Sequence, residues 1–191
     1  MFTYHPAAMG LGFGLLMPLG VCQALKMRAM GPGAERVKAI WVHAATQALA
    51  TAFALGGFYA IYSNKALHGK AHFTTTHGQL GLIAMTLTVI SPIMGGAAFK
   101  RLGILARLPE PMQAAVKWAH RKTGIVAWGA GVLATMTALP HPAVFKEGGI
   151  TAAWQCAVVV AAAGLAYLYV GATSATGAGA NVTAANKAGR S

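Results

Sequence analysis

Acidic residues are almost absent: the 191-residue chain has no aspartate and three glutamates, Glu35, Glu110 and Glu147. All three lie outside its apolar runs, so paired-carboxylate catalysis, calcium sites and carboxylate proton relays are excluded for want of ligands. Charge of either sign is scarce, at 9% of residues, against about a quarter in soluble domains. Cysteine occurs twice, as Cys22 and Cys156. Both fall in apolar runs whose topology places them near opposite membrane faces. A disulfide needs Cα atoms within about 7 Å, so free thiols and no cysteine metal site are expected. The first apolar run also lacks a basic segment before it, so no cleavable signal peptide is expected.

What the chain does have is apolar surface: 56% of its residues are hydrophobic. Five runs are long enough to cross a hydrocarbon core of about 30 Å, which takes about 20 helical residues. They cover residues 6–25, 39–63, 76–99, 115–139 and 151–172. Pro6 suits a first helical position, where its missing N–H costs nothing. The expected fold is an all-α membrane protein with five transmembrane helices, the first four forming a bundle. Gly and Ala in the run interiors let helices, or a flat ligand, approach closely. Residues 1–172 form the membrane domain, and the Gly/Ala/Thr/Ser-rich tail 173–191 is expected to be disordered.

The formal charge of +12 does not point to nucleic acid, because the basic residues sit in short loops between apolar runs, where lipid headgroups are their partners. Lys26, Arg28, Arg36 and Lys38 follow the first run. Lys100, Arg101, Arg107, Lys117, Arg121 and Lys122 follow the third, and Lys187 and Arg190 lie in the tail. The other side holds Lys65, Lys70 and Lys146. The positive-inside rule then predicts an outer N-terminus and a cytoplasmic C-terminus, as an odd number of helices requires.

Against this background the stretch 70–81 stands out, because it sets His77 at the mouth of an apolar run, where an ionisable residue is expensive. His5, His43, His77 and His120 each lie within about two turns of the start of one of the first four helices. Since alternate helices run in opposite directions, His5 and His77 fall near the outer face, and His43 and His120 near the inner face. Two imidazoles facing each other across a bundle core are the axial ligands of a b-type haem. Nearby glycines (Gly10, Gly12 and Gly14 after His5, Gly78 and Gly81 after His77, Gly124 after His120) offer flat patches for a porphyrin. A single histidine at a helix end is more often interfacial; four in matched places favour ligation. Met9 is expected to pack rather than ligate, and Gln47 to hydrogen-bond within the bundle. Tyr4, Trp41 and Trp118 suit an interfacial belt. His68, His72 and His141 fall in outer loops. With no Cys-x-x-Cys-His site, two non-covalent haem b groups are expected.

Four motifs carry a family resemblance: Phe-Thr-Tyr-His-Pro-Ala-Ala-Met from Phe2, Trp-Val-His-Ala-Ala-Thr-Gln from Trp41, His-Phe-Thr-Thr-Thr-His-Gly-Gln-Leu-Gly from His72 and Trp-Ala-His-Arg-Lys-Thr-Gly from Trp118. In order and spacing they resemble cytochrome b561, over nearly the whole chain to about residue 172, and in particular its small stand-alone members. The resemblance implies a di-haem protein that carries electrons from cytoplasmic ascorbate to monodehydroascorbate or a ferric chelate on the other side. It also implies haem ligation by His5, His43, His77 and His120, ascorbate binding at Lys38 and an outer substrate site at His72. It assigns no separate catalytic residue. The family usually has a further helix before the histidine-proline motif, and none is visible here. A partner in a membrane complex, or a homodimer, is one expectation that follows. The alternative reading is a haem-bearing or structural subunit of a larger electron-transfer complex.

Overall fold

The computed structural model describes residues 2–99 and 102–138 together with position 164, and among the described residues it is helical with no strand. Helix α1 spans Tyr4–Ala29, α2 Ala34–Leu67, α3 Thr76–Ala98 and α4 Glu110–Ala138, with a single 3-10 turn at Leu105–Arg107 before α4. Helices α1, α2 and α3 are long and apolar enough to cross a membrane. The N-terminal part of α4 carries Lys117, Arg121 and Lys122, which dilutes its hydropathy, and its apolar stretch runs from Thr123 to the end of the described segment. Apart from Gly164, the expected fifth run at 151–172 lies outside the described residues, as do the tail 173–191, Cys156 and His141, so the expected count of five spans does not extend past these four helices.

Helices α1, α2 and α4 overrun their apolar runs at the basic ends. Backbone hydrogen bonds continue where apolar side chains stop, and long basic side chains reach the headgroup level from there. Glu35 and Glu110 lie in the first turns of α2 and α4, where a carboxylate complements the positive end of the helix dipole. Pro6 is the third helical residue, not the first, because α1 begins at Tyr4; its missing N–H is still among the four without an intrahelical partner.

Two helix ends shape one end of the bundle. Helix α2 stops in a Schellman motif: Gly69 adopts φ +61°, its N–H donates to the Ala66 carbonyl (3.2 Å), and the Lys70 N–H donates to the Lys65 carbonyl (2.9 Å). Glycine takes this left-handed conformation without the Cβ penalty. The turn sends residues 71–75 back along α2. Helix α3 then starts at Thr75, whose hydroxyl oxygen accepts the Gly78 N–H at 3.1 Å. This cap places His77 in the first turn. Thr75→Ala should cost about 1 kcal/mol, the usual value of such a cap, and lower the thermal midpoint of the detergent-solubilised protein.

Helix α1 packs along α2, and α3 packs along α4, as two antiparallel hairpins with sparser contact between them. Each helix has two neighbours, so α1 lies diagonally across from α3, and α2 across from α4. Close approach depends on small residues: a Cβ on Gly12 would stand 3.0 Å from the Ala50 carbonyl, so α1 and α2 meet backbone to backbone there. Residues 10–16 of α1 form a π-helical segment, a rare form often found at functional sites. It contains Phe13, 5% exposed, which packs against Gly131 of α4. Phe13, Met17, Ala50, Ala54, Ala84, Met85 and Trp128 make up the apolar centre of the bundle.

Candidate haem-binding site

His5 lies in the first turn of α1 and His77 in the first turn of α3, two parallel helices on a diagonal. Their ring centroids are 5.9 Å apart with planes at 79°. His43 of α2 and His120 of α4 form the other diagonal pair, 6.4 Å apart at 78°. The four histidines thus stand as two pairs, one toward each end of the bundle, with the apolar centre between them.

Each imidazole is braced by the other helix of its own hairpin. His5 Nδ1 donates to the Gly57 carbonyl (3.0 Å), and His43 Nδ1 donates to the Gly20 carbonyl (2.8 Å). His77 Nδ1 donates to the Ala134 carbonyl (2.9 Å), and His120 Nδ1 donates to the Ser91 carbonyl (3.0 Å). A carbonyl oxygen only accepts, so these contacts require the Nδ1–H tautomer and leave Nε2 with a free lone pair, the usual second-shell arrangement for a metal-bound histidine. The four bracing residues are all small: Gly57, Gly20, Ala134 and Ser91. Gly95 deepens the notch beside His120: a Cβ there would lie 2.8 Å from His120 Cε1. Pro92, inside α3, removes one helical N–H next to this notch.

These residues fit a haem. Two imidazoles sharing one metal at about 2 Å per bond stand with centroids roughly 6 Å apart, close to both observed separations. Among the described residues no three His, Cys, Asp or Glu side chains converge. A bare ion would therefore have two protein ligands, whereas a porphyrin brings its own four nitrogens. Around His5 and His77 lies an open cavity whose walls include Met9, Phe13, Phe58, Gly78, Gly81, Leu82, Met85 and Gly131.

The other residues singled out in the sequence take varied places. Gly78 and Gly81 line the cavity, and Gly81 faces open space. Gly10 and Gly14 are exposed on the outside of α1, and Gly12 is used for the α1–α2 contact, so none of the three forms a porphyrin patch. Met9 lines the cavity without displacing His5 from His77. Gln47 donates from Nε2 to the Met17 carbonyl at 3.2 Å, an interhelical bond as expected. Tyr4, Trp41 and Trp118 are exposed, and Trp41 meets Phe99 edge-on at 5.3 Å. Lys38 is exposed at the His43 end; five helical residues turn it about 140° from His43, whereas Arg36, seven before His43, shares its face. His68 Nδ1 donates to the Asn64 carbonyl at 2.7 Å at the end of α2. His72 lines the cavity mouth beside Lys65.

Sequence reasoning missed the carbonyl braces, the Gly95 notch and the contacts of Phe58, Tyr62 and Lys65 with the loop before α3. Small residues one helix away from each histidine were the available signal for the first two.

Residues 4–146 match the sequence profile of eukaryotic cytochrome b561. The chain is 30% identical over 162 residues to the transmembrane reductase CYB561D2 of Mus musculus, covering 83% of this chain and 69% of that protein. The Homo sapiens protein of the same name is 30% identical over the same length, and the Bos taurus one 29%. With apolar helices of membrane length and histidine pairs suited to haem iron, the chain belongs to the cytochrome b561 family, integral membrane proteins that bind haem b and transfer electrons across the membrane.

Proposed function

We propose that the chain holds two haem b groups, one between His5 and His77 and one between His43 and His120, and passes electrons from ascorbate on the cytoplasmic side to monodehydroascorbate or a ferric chelate on the other. The observation that carries this reading is the repetition of one unit at both ends: a cross-bundle imidazole pair with each Nδ1 tied to a carbonyl of its own hairpin. When bound, each haem supplies a one-electron iron couple whose potential is tuned by its ligands and their hydrogen bonds.

The chain's own residues do the rest. The carbonyl braces fix each ring's tautomer and orientation before a ligand arrives, which lowers the cost of binding. Phe13, Met17 and Trp128 are buried and keep water from the layer between the pairs. Lys26, Arg28, Arg36, Lys38, Arg107, Lys117, Arg121 and Lys122 belong to the His43 end, against Lys65 and Lys70 at the other. This asymmetry makes the His43 end the cytoplasmic one, and its field would draw an anionic donor toward it.

Lys38 and Arg36 are the donor-binding side chains in this reading. Lys38 is exposed, and its flexible stem lets the ammonium bend around α2 at headgroup level. Arg36 is tethered, donating from Nη1 to the Met30 carbonyl at 3.1 Å. Lys38→Ala should keep full haem content but slow reduction by ascorbate, chiefly through weaker binding, and the rate should depend less on salt because one attractive charge is gone. Stopped-flow reduction at low and high ionic strength tests this. Wild-type rates at both would leave Lys38 a topology charge only.

A further inference from the structure

The loop between α2 and α3 is fastened to α2 by three successive contacts. Phe58, Tyr62 and Lys65 fall at helical spacing on one stripe of α2. The Phe58 ring lies parallel to that of Phe73, with centroids 6.3 Å apart and planes at 11°. Tyr62 stacks on the His72 imidazole at 4.0 Å and 16°. Lys65 donates from Nζ to the Ala71 carbonyl at 3.1 Å. The loop runs antiparallel to the helix, so rungs 58–73, 62–72 and 65–71 follow in order. The Schellman turn at Gly69 supplies the reversal that makes this register possible.

One backbone conformation marks the cost of this arrangement. Phe73 has φ +56°, the single positive φ among described non-glycine residues. A bulky residue avoids the left-handed region unless its surroundings hold it there, and such positions cluster at functional sites. Here the Phe73 ring runs parallel to that of Phe58. The outcome is that His72, Phe73, Thr75 and Gly78 line the cavity around His5 and His77 together with Phe58, Tyr62 and Lys65. His72 is half-buried at the mouth, held on one face by the Tyr62 ring.

We propose that Phe58, Tyr62 and Lys65 form a staple that positions His72 for an anionic electron acceptor at the His5 end, with Tyr62 as the main positioning residue. The part that concerns the acceptor rests on the proposed transfer to an outer acceptor, with His72 in the substrate role that the family resemblance implies; the staple itself rests on the contacts. Tyr62 acts through its ring rather than its hydroxyl, since the contact is a face-to-face stack. Its loss frees the imidazole to rotate out of the mouth and lets residues 71–73 lift from α2. Lys65 then loses its tether as well, so a single substitution loosens the whole loop.

The test uses the haem-loaded protein in lipid nanodiscs, with ascorbate as donor and ferric citrate as the acceptor probe. Tyr62→Ala and Phe73→Gly, which keeps the positive φ but removes the ring, should retain full haem content. Both should raise the KM for ferric citrate roughly five- to tenfold with little change in kcat, the pattern of lost positioning and binding. Tyr62→Phe should restore the wild-type KM, because the stack survives. Independently of turnover, carbethoxylation of His72 by diethyl pyrocarbonate, read by mass spectrometry, should speed up about threefold or more in Tyr62→Ala as the loop opens more often. A wild-type KM in Tyr62→Ala alongside a raised KM in His72→Ala would overturn the proposal. If His72→Ala leaves the KM unchanged, the acceptor reading of His72 fails, and the modification rate alone decides the staple. Faster modification in Tyr62→Ala then upholds it, and an unchanged rate overturns it.

Discussion

His77→Ala is expected to leave one haem per chain, with the spectrum of the His43/His120 site retained. The substitution takes away one of two protein ligands and also breaks the Nδ1–H contact to the Ala134 carbonyl. Removing merely a second-shell partner of a metal-bound histidine typically costs 10- to 100-fold in affinity, so loss of the ligand itself should empty the site. His5→Ala should do the same, since His5 faces His77 at 5.9 Å. His43→Ala and His120→Ala should spare this site and empty the other. The effects should separate cleanly because the two pairs share no residue and the apolar centre lies between them. Haem quantification and reduced-minus-oxidised spectra of the four variants check this. Loss of the His43/His120 signal in His5→Ala would show that the diagonal pairing is wrong.

Gly95→Ala should empty the His43/His120 site without touching a ligand. The added methyl would sit 2.8 Å from His120 Cε1, 3.3 Å from Nδ1 and 3.4 Å from Nε2. The first distance is shorter than real Cβ contacts, so the ring must move. It is tied to the Ser91 carbonyl, with the Ser91 hydroxyl at 3.5 Å, so a shift away from the methyl strains this brace. Overpacking of this kind costs about 1–3 kcal/mol, or roughly 5- to 150-fold in haem affinity if all of it falls on the bound state. The variant should therefore purify with one haem, and added hemin at high concentration should partly restore the second. Gly56→Ala is the contrasting substitution, since Gly56 is exposed on α2 away from the cavity and a Cβ there meets nothing within 4 Å. If Gly95→Ala binds both haems with wild-type spectra, the notch does not seat His120.

Much of this architecture is legible in the sequence. The first four apolar runs are helices, because length and hydropathy decide helicity where no water can satisfy a backbone. The placing of His5, His43, His77 and His120 near helix starts gives the diagonal pairs once the helices alternate in direction. What the sequence hides is long-range. That His5 leans on Gly57, or that Phe73 stacks on Phe58, depends on how two helices or a helix and a loop align, and no local pattern encodes it. The glycines of α1 mislead for a different reason. A glycine serves a flat ligand, a close helix contact or an irregular turn equally well, and in residues 10–14 the second and third uses prevail, with Gly12 against Ala50 and Gly10 and Gly14 in the π-helical segment. Lys38 is marked by motif spacing alone: five residues before His43 is close along the axis, and the flexible stem must bend around α2 to bring the ammonium to the haem edge.

The most direct test of the account is the haem stoichiometry of the purified chain, measured by pyridine haemochrome absorbance against amino-acid analysis. Two b-type haems per chain, both extractable into acidified solvent because nothing binds them covalently, is the predicted result. One haem per chain, or none, would contradict it.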